Sequence, residues 1–455
     1  IIADPRHPYG FFFDWYGDLV PYSRLNNTPP VLCYLLALAY KATGGAEWAM
    51  RLSFWPFDAA AAVALYLIAA RFLQRPLLPV LIVLACPAYL INMGHLMAEK
   101  PMFCFVLWSL YGLLRAVDGA RRWFWASAGF LSAALLCKYS AIFVVLPVLV
   151  LGRCRGLSWR RLAAYLAVAF SGLAVYLLWD LSRDGAFLGA FWRTTAEAAR
   201  WPWAPQKLRA VLTFVGGCGA VALFWPHAAL RGKRPLLIIA AAAAFLFLPS
   251  FDDGPVRLAD RLLGAVLAAG GAWNLGGTAL HWRRLSGGRL WISWMSGVLL
   301  LLLVVYWSVM ARLVLFLVPP VAFACAQSLE QRWPQAGIRK FYAAALAFSL
   351  LLSFTLEAVD MRYADAQRRL ADSVFTRFSG RRIWFSGHWG LQHYLEQRGG
   401  RALERRGGWD QVRGGDVVIL PRVNTNVIWP DRQVLALRSD VMVGHWLPLR
   451  LISAG

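Results

Sequence analysis

The amino-acid sequence predicts an all-α polytopic membrane protein with a small α/β domain at its C-terminal end. Three observations carry that prediction. Apolar runs near membrane-spanning length recur through most of the chain. Basic residues gather in every second connection between those runs. From about residue 357 onward the composition turns polar and Gly-punctuated. With 59% hydrophobic residues, only 16% charged and a mean hydropathy of +0.51, a water-soluble globular chain of 455 residues is excluded. The net charge of +23 belongs to short loops that set topology and calls for no nucleic-acid partner.

Residues 1–30 are aromatic, Pro-rich and too interrupted to span a bilayer. The apolar stretch 31–43 is short for a span and suits a helix lying at the interface, so 1–47 reads as a first outer loop carrying an interfacial helix. Twelve spans follow, at 48–71, 76–93, 97–115, 122–137, 139–152, 161–180, 208–226, 235–249, 258–281, 290–308, 311–328 and 338–356. Together they make a transmembrane domain over 48–356. Basic clusters at Arg71/Arg75, Arg115/Arg121/Arg122, Arg153/Arg155/Arg160/Arg161, Arg231/Lys233/Arg234, Arg283/Arg284/Arg289 and Arg332/Arg339/Lys340 alternate with poorly basic connections. The positive-inside rule puts those clusters in the cytoplasm of a plasma-membrane protein. The N-terminal stretch, the connections near Glu99, Lys138 and Arg312, and everything after residue 357 then face the extracytoplasmic side.

Segment 182–207 has Trp192, Trp201 and Trp203 among polar residues, the composition of an aromatic-anchored helix in the outer interface. Within 357–455, short strands are expected at 382–386 and 417–420 and a helix at 391–398, an extracytoplasmic α/β domain. The seven cysteines are scattered, mostly in apolar segments, with no metal-ligand spacing, and read as small buried hydrophobes.

Polar residues at membrane depth are expensive and point to function. Four groups fall on the outer side: Asp14 and Asp18 with the Asn26–Asn27 loop, Glu99–Lys100, Lys138–Tyr139, and Arg312. One carboxylate among several cations suits a phosphorylated substrate, with Lys and Arg on phosphate oxygens and an acid as proton acceptor. Taken singly, each has a plainer role: Asp14 or Asp18 as a turn cap, Lys100 as a partner of Glu99, a lone cation as a topology signal. His388 either touches a substrate or holds a GHWG turn.

These residues lie in stretches that resemble glycosyltransferase family 39, which has the GT-C membrane fold. NNTPPVLCYLLALAYKATGGAEWAMRLSF is similar to that family's first outer loop and following span. LMAEKPMFCFVLW resembles its second acidic motif, LLCKYSAIFVVLPVLV its Lys–Tyr and Leu–Pro segment, and ARLVLFLVPPVA its late Arg and Pro–Pro segment. IWFSGHWGLQHYLEQRGG followed by GDVVILP resembles the outer domain of many bacterial members. The resemblance implies transfer of a sugar from a polyprenyl-phosphate donor to an acceptor (lipid, glycan or protein) on the extracytoplasmic face. It gives Glu99 the role of second acid and Lys138 and Arg312 that of phosphate contacts, with Lys100, Tyr139, Asn27 and His388 as further substrate contacts. No cofactor is implied, and the resemblance leaves a divalent metal open. It also places the principal Asp and one further span upstream of Ile1, with Asp14 and Asp18 as nearby stand-ins. Two other readings remain: a flippase or transporter of lipid-linked saccharide, against which the lack of paired broken helices and internal repeats speaks, and a non-catalytic homologue lacking its main base.

Overall fold

The computed structural model describes residues 1–2, 4–15, 18–25, 28–183, 186–198, 204–218, 258–306, 308–331, 335–405, 407–421 and 427–429. The expected span at 235–249, the end of that at 208–226, and Asn27 lie outside the described residues. The chain divides into two compact units, one of residues 1–8, 26–251 and 256–353, the other of 9–25, 252–255 and 354–455.

The first unit is built of helices. In order they are α1 (Val31–Thr43), α2 (Trp55–Ala69), α3 (Leu77–Ala85), α4 (Pro87–Met93), α5 (Glu99–Val117), α6 (Arg122–Cys137), α7 (Val145–Cys154), α8 (Trp159–Leu181), α9 (Ala186–Ala198), α10 (Ala204–Cys218), α11 (Leu258–His281), α12 (Gly288–Leu300), α13 (Val318–Glu330) and α14 (Gln335–Arg377). Helix α14 belongs to this unit through Ser353. Six stretches among the described residues are long and apolar enough to cross a membrane: Glu47–Ala69, Glu99–Val117, Trp159–Leu181, Gly288–Val305, Ala311–Glu330 and Gly337–Arg377. Among the described residues, the remaining expected spans are shorter or less apolar. The run expected as one span at 76–93 is two short helices, because Pro87 has no N–H to continue the ladder and drives Cys86 to an extended backbone (φ −72, ψ 151).

Burial separates central helices from peripheral ones. The apolar windows of Ala311–Glu330 and Glu99–Val117 are 89% and 72% buried, while those of Trp159–Leu181 and Gly337–Arg377 are only 22% and 28% buried. Side chains such as Val175, Leu178, Leu351 and Phe354 point outward. A face that apolar needs lipid beside it. The interior is closed by the fully buried Trp291 and Trp294 of α12, and Trp291 packs on Phe72 and Phe323.

Where apolar helices meet with no water to expel, small residues and hydrogen bonds hold them. Tyr165 of α8 joins its hydroxyl to Ser127 Oγ of α6 at 2.7 Å and to Ser109 Oγ of α5 at 3.1 Å, while Ser127 Oγ donates to the Ser109 carbonyl at 2.6 Å. Helices α10 and α11 cross at two glycines. A Cβ on Gly216 would collide with the Leu267 carbonyl, and one on Gly271 with the Leu212 carbonyl.

Helix α5 sets the length scale. Its 19 residues rise about 28 Å, and polar contacts collect at each end. Just past its C-terminus, Asp118 takes ion pairs from Arg71 and from Arg155, the latter at 3.6 Å. Glu330 accepts the backbone N–H groups of Gln74 (3.0 Å) and Arg75 (2.9 Å). These contacts join connections that the charge alternation had put on one side. At the other end of α5 stands Glu99.

In the second unit, β1 (Phe12–Trp15) and β2 (Asp18–Pro21) form an antiparallel hairpin with Asp14 opposite Leu19 and Trp15 opposite Asp18. A separate parallel sheet has the order β4-β3-β5, from β3 (Ile383–Phe385), β4 (Arg401–Ala402) and β5 (Val417–Ile419). Helix α15 (Gly390–Gln397) crosses between β3 and β4 and buries Leu391 and Leu395 with Phe385 and Ala371. Asp416 ties the sheet's edge: Oδ1 accepts from Arg382 Nε (3.0 Å), and Oδ2 from Trp384 Nε1 (3.0 Å) and the Arg413 N–H (2.9 Å).

Two predictions follow from this packing. Gly271→Val forces α10 and α11 apart and should cost about 1–3 kcal/mol or more, read as a lower melting temperature in detergent. The Arg413 N–H above all, then the Trp384 and Arg382 donors, hold Asp416 below its ordinary pKa. Its contribution is therefore complete above the usual carboxylate range and is lost as pH falls through the depressed value. Hydrogen-exchange protection of 383–385 and 417–419 should fall in that acid window, and Asp416→Asn should lower it at neutral pH.

Candidate active site

Glu99 occupies the first turn of α5, where the helix N-terminus favours a carboxylate. It is nonetheless 3% exposed, so its charge has to be met by protein. Two cations meet it on the same oxygen. Lys138 Nζ donates to Oε1 at 2.6 Å, and Arg312 Nε forms an ion pair with Oε1 at 3.0 Å. Each arrives by a break in regular helix. Lys138 ends α6 in an extended conformation (φ −162, ψ 130) that turns the chain into a 3-10 segment. Arg312 sits in the short helix Ala311–Val314 after the extended Met310.

Aromatic groups wall one side. Lys138 Nζ lies 5.4 Å from the Tyr306 ring centroid, a cation–π distance. Tyr306 stacks on Tyr139 at 6.5 Å, and Tyr139 meets the edge of Phe191 at 4.9 Å. The Tyr306 carbonyl accepts from Lys207 Nζ at 2.7 Å; Lys207 belongs to the first turn of α10 and is buried. Beside this group, Lys100 Nζ pairs with Asp58 Oδ2 at 2.9 Å. Asp58 lies in the first turn of α2, and its other oxygen is buried without a hydrogen-bond partner.

The sequence-predicted residues thus fall into three sets. Glu99, Lys138, Tyr139 and Arg312 come together. Lys100 is adjacent to them but turns to Asp58, not to Glu99. Asp14, Asp18 and His388 belong to the second unit, where Asp14 and His388 both line a small recess. Sequence reading missed Asp58, Tyr306 and Lys207. Asp58 had a usable signal, an acid inside an apolar run; Tyr306 and Lys207 had none, because only the fold brings them to Lys138.

Lys138 and Arg312 share one oxygen of Glu99, two cations on one carboxylate, while Lys100 and Asp58 pair one to one beside them. Two cations converging on one oxygen fit an anionic ligand with several oxygens, above all a phosphate. No group of three His, Cys, Asp or Glu among the described residues is placed to hold a metal ion.

The fold is therefore that of a multi-pass helical membrane protein, with a buried ionic cluster at one end of its central helix. Residues 27–180 match the family model described as dolichyl-phosphate-mannose-protein mannosyltransferase. The match bears out the resemblance for the motifs at 26–54, 96–108 and 135–150, while the late Arg and Pro–Pro segment and the C-terminal motifs lie outside it. The matched stretch holds Asp58, Glu99, Lys100, Lys138 and Tyr139. Comparison with curated proteins returns no match. Among solved structures, ArnT from Cupriavidus metallidurans in the apo state is 17% identical, with 84% of this chain and 76% of that chain covered and a TM-score of 0.41. The same protein bound to undecaprenyl phosphate is 17% identical, with 89% and 82% covered and a TM-score of 0.42.

Glu99→Gln leaves the buried Lys138 and the partly exposed Arg312 without their counter-charge and should destabilise the protein by about 3 kcal/mol, measured by thermal unfolding in detergent. Adding Lys138→Met to that variant should recover part of the loss. An additive double variant would mean the two side chains are not coupled.

Proposed function

We propose that this protein moves a sugar from a polyprenyl-phosphate donor to an acceptor on the extracytoplasmic face of the plasma membrane. The observation that carries the proposal is the convergence of Lys138 and Arg312 on one oxygen of Glu99, with Glu99 and Lys138 inside the stretch matched by a mannosyltransferase family model. A carboxylate oxygen and a phosphate oxygen offer the same geometry to these donors. Donor phosphate then competes with Glu99 for the two cations, and the displaced carboxylate turns to the acceptor.

In the reaction the acceptor oxygen attacks the anomeric carbon as the bond from that carbon to the phosphate oxygen breaks. Inversion follows from attack on the face opposite the leaving group. The electron pair leaves with polyprenyl phosphate, whose growing negative charge Lys138 and Arg312 stabilise where no water competes. Glu99 orients the acceptor hydroxyl, whose proton passes to a carboxylate. Lys207 donates to the Tyr306 carbonyl and so holds in place the residue whose ring lies over Lys138. Tyr139 and Tyr306 shield the phosphate from the aqueous side and give the lipid's first isoprene units an apolar wall.

Arg312 is the cleaner probe, because its side chain is 27% exposed and its removal leaves Glu99 paired with Lys138. Arg312→Ala should lower transfer from a radiolabelled polyprenyl-phosphate sugar by about 10²–10³-fold, by analogy with a lost oxyanion donor, with little change in melting temperature. Lys138→Ala should abolish transfer. Wild-type rates in both variants would sink the assignment. Label that stays on the lipid but crosses the bilayer of sealed vesicles would mark a transporter instead.

A further inference from the structure

Trp389 is, among the described residues, the one non-glycine with positive φ (φ 60, ψ −129). An L side chain avoids that conformation, and a glycine there would carry no strain. The turn already holds Gly387 at φ 122, and a Cβ on Gly390 would come within 2.5 Å of Gln367 Oε1. The chain thus passes close to α14 at this point and has small residues on either side of a tryptophan. Packing does not explain the tryptophan, since its side chain is 53% exposed while its neighbours Ser386, His388 and Gln392 are buried.

Those neighbours line a small recess together with Asp14, Phe385 and Leu403. The recess is stiffly built. Ser386 Oγ accepts the Ile428 N–H at 2.7 Å, Gln392 Nε2 donates to Glu396 at 2.9 Å, and the Trp389 carbonyl accepts the His393 N–H at 3.0 Å. An exposed indole held in a strained backbone, next to a small recess lined by an imidazole, an amide and a carboxylate, is a particular combination. The flat indole suits the C–H face of a pyranose, and the recess suits one of its hydroxyl or hydroxymethyl groups. A free anion is disfavoured there by Asp14, and the recess is too small for a bulky apolar ligand.

We propose that Trp389 and the Asp14–His388–Gln392 recess form a binding subsite for one pyranose ring of the acceptor. The assignment rests on the glycosyltransferase reading above and adds the chemistry of the acceptor to it. Full-length protein in lipid nanodiscs should bind methyl pyranosides, detected by saturation-transfer NMR. Trp389→Gly, which relieves the backbone, should keep the melting temperature and weaken that binding by about tenfold. Trp389→Phe should retain most of it, and Asp14→Asn should change which hydroxyl configuration is preferred. Lys138→Ala should bind pyranosides as wild type does while losing transfer. Undiminished pyranoside binding in Trp389→Gly, or none of these sugars bound by the wild type, would overturn the subsite. A wild type that transfers nothing, yet loses pyranosides on Trp389→Gly, would overturn the transferase reading and leave the subsite standing.

Discussion

A carboxylate buried at the end of a central helix must be answered by positive charge, and in this protein two cations answer it through one oxygen. Much of the first unit is arranged so that this can happen. Helix α6 stops at Cys137, which frees Lys138 to turn back toward α5. The chain after Gly288–Val305 breaks at Tyr306, which brings a ring over Lys138 and a carbonyl to Lys207. A short helix then presents Arg312. Three interruptions of apolar helix meet at Glu99. Irregular backbone at that depth is tolerated only where it lines a site or is buried in protein.

The cluster is a poor device for stability. Burying ions costs several kcal/mol each, and well-packed apolar groups of similar volume would often serve the fold as well or better. The cation excess is harder still to justify by folding alone, since like charges brought together repel. It becomes reasonable if an anion completes the balance for part of the working cycle. Lys100 and Asp58 show the contrasting case. They pair one to one at the neighbouring helix starts, and their charges cancel locally.

Much of this was legible in the residues themselves. Glu99, Lys138 and Arg312 are conspicuous because each interrupts an apolar run, and charge alternation put them on one side of the bundle. The stretch 31–43, read as a short helix, is a helix over Val31–Thr43, and the segments that read as strands contain Ile383–Phe385 and Val417–Ile419. What escaped was tertiary. No spacing rule tells Lys100 to choose Asp58 over its neighbour Glu99, because that choice depends on α2 and α5 lying side by side. Nor does hydropathy reveal that 76–93 breaks at Cys86–Pro87, although Pro87 was there to be weighed. Asp14 and Asp18 drew attention by sequence position near the outer loop, but they pair into a hairpin that belongs to the second unit.

The crossing of α10 and α11 at Gly216 and Gly271 has a mechanical side. Bare backbone meets bare backbone there, and Leu212 packs against Ala265 and Ala268 beside the crossing. Lys207 lies nine residues up α10 from that crossing, about 13 Å along the helix axis. A small tilt at the glycines is therefore magnified at the amine, as at the tip of a lever. The angle at which the two helices cross therefore sets where the Lys207 amine meets the Tyr306 carbonyl, at a point well removed from Glu99 itself.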